Sequence, residues 1–167
     1  MTLTYRSATE ADLEELREFA IRTMVEKFGH LYKQDDLDAH LAEDYSPDYH
    51  RKALKECKIT VVTDKDKIIG YAKWGALGLP VATPIEPNGE IHRFYVDSAY
   101  RGQGIGKQLM DEMMADMADK AAIYLSVFSE NQGAHRFYQR WGFSKHSEYE
   151  YMVGNHADHE FIYQFIR

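Results

Sequence analysis

The sequence predicts an α/β fold, a mixed and mostly antiparallel sheet of seven strands with helices on both faces. Three features support it. Apolar periodicity runs in the order β-α-α-α-β-β-β-α-β-α-β-β, an order that gives a mixed sheet covered on both sides. Residues 123–128, Ile-Tyr-Leu-Ser-Val-Phe, are nearly continuous apolar sequence, as expected of a central strand. At Val96 a β-rich run breaks into the glycine-studded turn Asp97-Ser98-Ala99-Tyr100-Arg101-Gly102-Gln103-Gly104-Ile105-Gly106-Lys107, and a long amphipathic helix follows.

Residues 2–7 alternate as a short strand. Ser7-Ala8-Thr9-Glu10 then offers capping side chains for a helix whose Leu13, Leu16, Ala20, Met24 and Phe28 share one face, with Gly29 as its expected stop. Residues 34 to about 45 form a second helix through Leu37 and Leu41, and Ser46-Pro47 caps a third that runs toward Glu56. Residues 58–63 read as a strand, 64–66 as its turn and 67–74 as its hairpin partner. Residues 75–88 hold three of the chain's four prolines and form a loop. Residues 90–96 are the next strand, which delivers the chain to the glycine turn.

From Gln103 the helix places Ile105, Leu109, Met113 and Met117 on one stripe, with Met110 and Met114 beside it. At this spacing the methionines are core packing rather than a cofactor box. Asn131 starts another helix, with Ala134, Phe137, Tyr138 and Trp141 on one side, and Gly142 ends it. Two further strands, from Phe143 onward and over residues 159–166, are expected to be antiparallel, with the turn near Gly154-Asn155-His156.

At 167 residues the chain reads as one domain spanning 1–167, long enough to bury a core without metal or disulfide. Its single cysteine, Cys57, has no internal partner. The start, Met1-Thr2-Leu3-Thr4-Tyr5-Arg6, is too polar for a signal peptide, and no apolar run reaches membrane-span length, so a cytoplasmic protein with no membrane partner is expected. A formal net charge of -7 argues against nucleic acid, which needs a basic face. The same charge suits cationic substrates, or solubility alone.

The glycine turn has the makings of a phosphate pocket. Residues without a Cβ let backbone N–H groups converge on an anion, and the helix that follows aims its positive dipole end at the same place. Two familiar loops are excluded by counting. A nucleoside-triphosphate loop needs Gly where Arg101 stands and Ser or Thr where Gln108 stands. A dinucleotide fingerprint needs a third glycine at Lys107 or at Leu109, depending on the frame. What remains is Arg101-x-x-Gly104-x-Gly106 at a helix start, after a strand ending in an apolar-Asp pair.

That motif resembles the pyrophosphate-binding turn of the GCN5-related N-acetyltransferases. The run Asn131-x-x-Ala134-x-x-Phe137-Tyr138-x-x-Trp141-Gly142-Phe143 is similar to the second signature of the same family. The resemblance covers most of the chain and is strongest between Glu90 and Phe143. It implies the acyl-CoA N-acyltransferase fold and acetyl-CoA as cosubstrate. It also implies that the strand ending at Val96 carries a bulge and splays from the Ile123 strand, and that the coenzyme's pantetheine arm adds to backbone groups of Tyr95 and Val96.

Carried over residue by residue, the backbone amides of Arg101, Gly102, Gln103, Gly104, Ile105, Gly106 and Lys107 wrap the pyrophosphate, with Arg101 and Lys107 adding charge. Asn131, Ala134 and Phe137 fall at coenzyme-binding positions, although helix capping accounts for Asn131 equally well. Tyr138 sits at the family's tyrosine position and is the expected proton donor to the departing thiolate, the alternative being a core aromatic. Glu90 shares a strand face with His92 and is the candidate base, the alternative being an exposed strand carboxylate. Tyr71 and Tyr32 are expected along the acceptor side. His156-x-x-His159 lacks a third ligand at useful spacing, so no metal is expected, and Cys57 lies outside both motifs.

For the acceptor, Thr23-x-x-x-x-Phe28-Gly29, Asp36-Leu37-x-x-x-Leu41 and Tyr151-Met152-Val153-Gly154 before an acidic strand resemble the bacterial PaiA-type spermidine/spermine acetyltransferases. The expected function is acetyl transfer from acetyl-CoA to a primary amine, such as a polyamine. Alternatives are a peptide or protein N-terminal acetyltransferase, an aminoglycoside acetyltransferase, and a coenzyme-binding regulator without chemistry. The fold also admits a homodimer through its C-terminal strands.

Overall fold

A computed structural model describes residues 1–167. Seven strands form one sheet in the order β1-β2-β3-β4-β5-β7-β6. They are β1 (Leu3–Ser7), β2 (Lys58–Asp64), β3 (Lys67–Gly75), β4 (Asn88–Val96), β5 (Ala122–Phe128), β6 (Ser144–Val153) and β7 (His156–Ile166). Every neighbouring pair is antiparallel except β4 with β5. The helices are α1 (Leu13–Phe28), α2 (Gln34–Asp44), α3 (Pro47–Glu56), α4 (Ile105–Asp116) and α5 (Gln132–Arg140). None is long and apolar enough to cross a membrane.

The period-two alternation of the hairpin residues decides which helices cover which face. Val61, Ile68 and Tyr71 point to one side, where they meet Leu16, Phe19, Ala20 and Met24 of α1 together with Leu37 and Ala53. Val62, Ile69 and Ala72 point to the other, where they pack with Leu109, Met110 and Met113 of α4, Ile123 and Leu125 of β5, and Phe143. Met110 and Met113 are fully buried there. The expected mixed sheet with helices on both faces is thus the observed one.

Local chemistry sets the helix starts. The Ser46 hydroxyl accepts from the Tyr49 N–H at 3.0 Å, with Pro47 in the first turn of α3. Ahead of α1, Asp12 accepts from the Thr9 N–H at 2.7 Å and takes both Arg6 guanidinium nitrogens at 2.7 and 2.8 Å. The Arg6 hydrogen bond leads in holding the Asp12 carboxyl down to about 2. A folded-state value below the unfolded one stabilises the protein above the ordinary carboxylate range, and that stabilisation is lost as pH falls from about 4 toward 2. Asp12→Asn should therefore lower the urea midpoint at neutral pH and flatten its fall across that window.

Several boundaries differ from expectation. β7 begins at His156, not His159, because a two-residue turn at Gly154-Asn155 lets pairing continue to Val153↔His156. β4 begins at Asn88, since the parallel pairing with β5 starts there. Gly29 stands directly after α1, at the expected stop. Its φ is -55°, and the chain continues into a short 3-10 turn over Gly29–Leu31. α4 starts at Ile105, after Gly104 has turned the backbone.

Candidate active site

The site follows from a parting of two strands. β4 pairs with β5 only over Asn88–Ile91, opposite Ala122–Leu125. Beyond that point β4 stays with β3 as far as Val96, and β5 stays with β7 as far as Phe128. The bend is placed by a bulge: Lys73 faces Arg93 while Trp74 faces Ile91, so His92 is an extra residue on β4. Backbone groups of Tyr95 and Val96 are left on a free edge. Around this gap lies one cavity of about 1050 Å³.

One end of the cavity is the glycine turn. Asp97 accepts from the Ala99 N–H at 2.9 Å and from Arg22 at 3.0 Å, which fixes the chain as it leaves β4. Gly102 and Gly104 have φ of 77° and 79°, a conformation that a Cβ disfavours, and a Cβ at either would meet nothing within 4 Å. The turn is therefore shaped for an occupant rather than by packing. Arg101 and Lys27 of α1 stand close enough that the Arg101 charge, after burial, lowers the Lys27 pKa. Neither side chain forms an ion pair, whereas Lys107 is paired with Asp111 at 2.8 Å. Two like charges held together at the start of a helix fit a ligand with several phosphates.

The middle is aromatic. The Tyr138 ring meets those of Phe94, Phe137 and Phe143 at 6.5, 5.4 and 5.9 Å, and its hydroxyl takes no partner from the protein. Burial pushes that phenol well above its ordinary value, with Tyr95 adding to the effect. α5 is pinned to the end of β5 by His135. Its Nε2 donates to the carbonyls of Phe128 and Ser129 at 3.1 and 3.0 Å, which leaves Nδ1 to accept from the Tyr163 hydroxyl. Asn131 caps the helix, its side chain accepting from the Ala134 N–H at 3.3 Å.

The far end carries Glu90, Asp158 and Glu160 among Tyr32, Tyr45, Tyr49, Tyr149 and Tyr151. Tyr32 donates its hydroxyl to Asp158, and burial with that bond raises the phenol's pKa. Tyr151 donates to Asp44 at 2.8 Å, so α2 is tied to β6. Glu160 accepts from the Ser126 hydroxyl at 3.1 Å, and Ser126 lies 2.8 Å from the Tyr149 hydroxyl. Burial pushes the Glu160 carboxyl up to about 7, with Asp158 adding to the rise and Ser126 opposing it.

The cavity thus brings together Glu90, Tyr95, Val96, Arg101, Gly102, Gly104, Ile105, Gly106, Lys107, Asn131, Ala134, Phe137 and Tyr138. Gln103 is not among its lining residues, because the left-handed glycines on either side turn it outward to solvent. Tyr71 also lies elsewhere, buried between sheet and α1 with its ring on Phe19. Glu90 is buried rather than exposed. Its Oε2 accepts from the Gly78 and Leu79 N–H groups at 2.6 and 3.1 Å, and its Oε1 lies 3.3 Å from His92 Nδ1. His156 and His159 contact different carboxylates, Asp158 at 3.3 Å and Glu148 at 3.2 Å. Sequence reasoning missed Lys27, Asp158 and Glu160. The last two had a signal in the alternation Asp158-x-Glu160, two acids on one face of β7.

The same architecture occurs in a PaiA N-acetyltransferase from Thermoplasma acidophilum in complex with coenzyme A, with TM-score 0.79, 19% identity and 100% of both chains covered. Arabidopsis thaliana NAA60 in complex with a bisubstrate analogue gives TM-score 0.76 at 16% identity over 99% of each chain. Among curated relatives, an uncharacterised Mycobacterium leprae protein is 40% identical over 80 residues, covering 48% of this chain and 21% of that protein. The Bacillus subtilis spermine/spermidine N(1)-acetyltransferase is 33% identical over 89 residues, covering 50% and 57%. The Mycobacterium tuberculosis N-alpha-acetyltransferase RimI is 37% identical over 78 residues, covering 47% and 46%. The match thus spans from about a fifth to a little over half of these relatives' length. A model of the acetyltransferase (GNAT) family matches residues 15–143, well over half of the sequence, and this chain belongs to that family.

Proposed function

We propose that the chain, as one catalytic domain over residues 1–167, transfers the acetyl group of acetyl-CoA to a primary amine of a small polycation such as spermidine. One observation carries the reading: a single cavity is cationic at the glycine turn, anionic and tyrosine-rich at the other end, and crossed by the gap between β4 and β5. The residues present fit the coenzyme. Lys27, Arg101 and the amides from Gly102 to Lys107 would hold its phosphates, and the free edge at Tyr95 and Val96 would meet an arm that carries amides of its own. Acetyl-CoA supplies an activated acetyl thioester.

The chain's own groups supply the remaining chemistry. Tyr138 keeps its proton at neutral pH and its hydroxyl has no protein partner, so it can donate to the sulfur as the C–S bond breaks, in surroundings that disfavour a free thiolate as they do a phenolate. Carboxylates and tyrosine faces at the far end attract alkylammonium groups and hold them with their methylene chains against rings. The half-match to the Bacillus subtilis polyamine enzyme supports this acceptor class. A second reading, an N-terminal amine of a polypeptide, is favoured by Arg93. Its guanidinium stacks 4.3 Å from the Tyr45 ring without a carboxylate partner and suits a backbone carbonyl.

Thiol release from acetyl-CoA, measured with spermidine and with a short unblocked peptide, tests the choice. A higher kcat/KM for spermidine is expected, and the reverse order would overturn the polyamine assignment.

A further inference from the structure

We propose that Glu160 is the base that takes the proton from the attacking amine, with Ser126 and Tyr149 holding its carboxylate in place. The inference rests on the acetyltransferase reading above. Glu160 stands on β7 opposite Phe128, the last residue of β5, where β4 has already parted from β5. It therefore reaches the acidic end of the same cavity that Tyr138 lines. Only one of its oxygens is used by the protein: Oε2 accepts from Ser126 at 3.1 Å, and Ser126 is braced by Tyr149. Oε1 is left to a ligand.

No cation pairs with Glu160. The groups that face it are Asp158 on the same strand, Tyr149 from β6, Tyr95 from β4, and Tyr32 from the turn after α1. All of them disfavour a second negative charge or stay neutral, and burial acts in the same direction, which brings the carboxyl to about 7. A base is most useful where it is both substantially ionised and still a good proton acceptor. Glu90 is placed differently. Two backbone N–H groups of the 75–88 loop hold its Oε2, and its Oε1 lies against His92 Nδ1, so neither oxygen is left to a ligand.

The step balances. The ammonium group of the acceptor gives one proton to Glu160 and becomes a neutral amine. Its nitrogen lone pair forms the C–N bond at the thioester carbonyl, and the C–S bond breaks as Tyr138 protonates the departing sulfur. The second N–H proton returns to the Tyr138 oxygen as the amide forms, and Glu160 releases its proton to solvent.

Two measurements test this. For wild type with spermidine, kcat/KM should rise with pH through about 7. Glu160→Gln should lower it by about 100-fold or more, remove that limb and leave coenzyme A affinity unchanged. Ser126→Ala should move the limb upward, because the hydroxyl that favours the ionised form is gone. Independently of any acceptor, infrared difference spectra of wild type against Glu160→Gln should show a protonated-carboxyl band that disappears between pH 6 and 8, with its midpoint at about 7. A band that titrates in the ordinary range near about 4.3 overturns the proposal, as does a Glu160→Gln enzyme that keeps its activity and acid limb. Wild type that acetylates no amine overturns the acetyltransferase reading instead, and the infrared titration still decides the state of Glu160.

Discussion

Tyr138→Phe is expected to lower kcat by about 100- to 10,000-fold while coenzyme A affinity and folding stay near wild type. The separation of effects follows from what the hydroxyl touches. The ring packs on Phe94, Phe137 and Phe143, and phenylalanine keeps all of that packing. The oxygen makes no hydrogen bond to the protein, so its removal orphans no buried partner. The proton alone is lost, and the sulfur must then leave as an unprotonated thiolate. Steady-state kinetics together with coenzyme titration calorimetry check this. Equal losses in kcat and in coenzyme binding would instead make Tyr138 a packing residue.

Gly104→Val is expected to act at the other end of the cavity, weakening coenzyme A binding by about 10- to 100-fold, the equivalent of one charge-assisted hydrogen bond misaligned. Gly104 holds φ at 79°, where a β-branched residue is strained, and it is also the residue from which α4 begins. Nothing in the protein lies within 4 Å of the added Cβ, so the penalty falls on backbone direction rather than on a clash. The N–H groups proposed to hold the phosphates would lose their common aim. At saturating acetyl-CoA most of kcat should return, since Tyr138 and Glu160 sit beyond the turn. A variant whose kcat stays low at saturation would show that the turn does more than bind.

The geometry of the glycine-turn end was legible in the sequence because it is local. Arg101-x-x-Gly104-x-Gly106 and the Asn131 to Phe143 run each bring their residues together through one turn or one helix, so spacing suffices. The bulge and parting of β4 from β5 followed from the family resemblance and are present at His92 and Ile91. The acceptor end is a long-range construction. Glu160 meets Ser126 only because β7 inserts between β5 and β6, and Tyr32 meets Asp158 across 126 positions of sequence. Glu90, the candidate base with an exposed strand carboxylate as the alternative, is buried because residues 78 and 79 fold back onto it, a contact that strand spacing does not show. Tyr71 shows the same limit in reverse: its place on a hairpin was clear, but the face it occupies was decided by α1.

The central claim is that the gap between β4 and β5 passes an acetyl group from the cationic end of the cavity to an amine at the acidic end. Mixing the protein with acetyl-CoA and a panel of amines and peptides, while following free thiol and product mass, tests it most directly. Thiol release that depends on an amine, with one acetyl group gained by that amine, is the expected result. Tight coenzyme binding with no amine-dependent thiol release across the panel would contradict it.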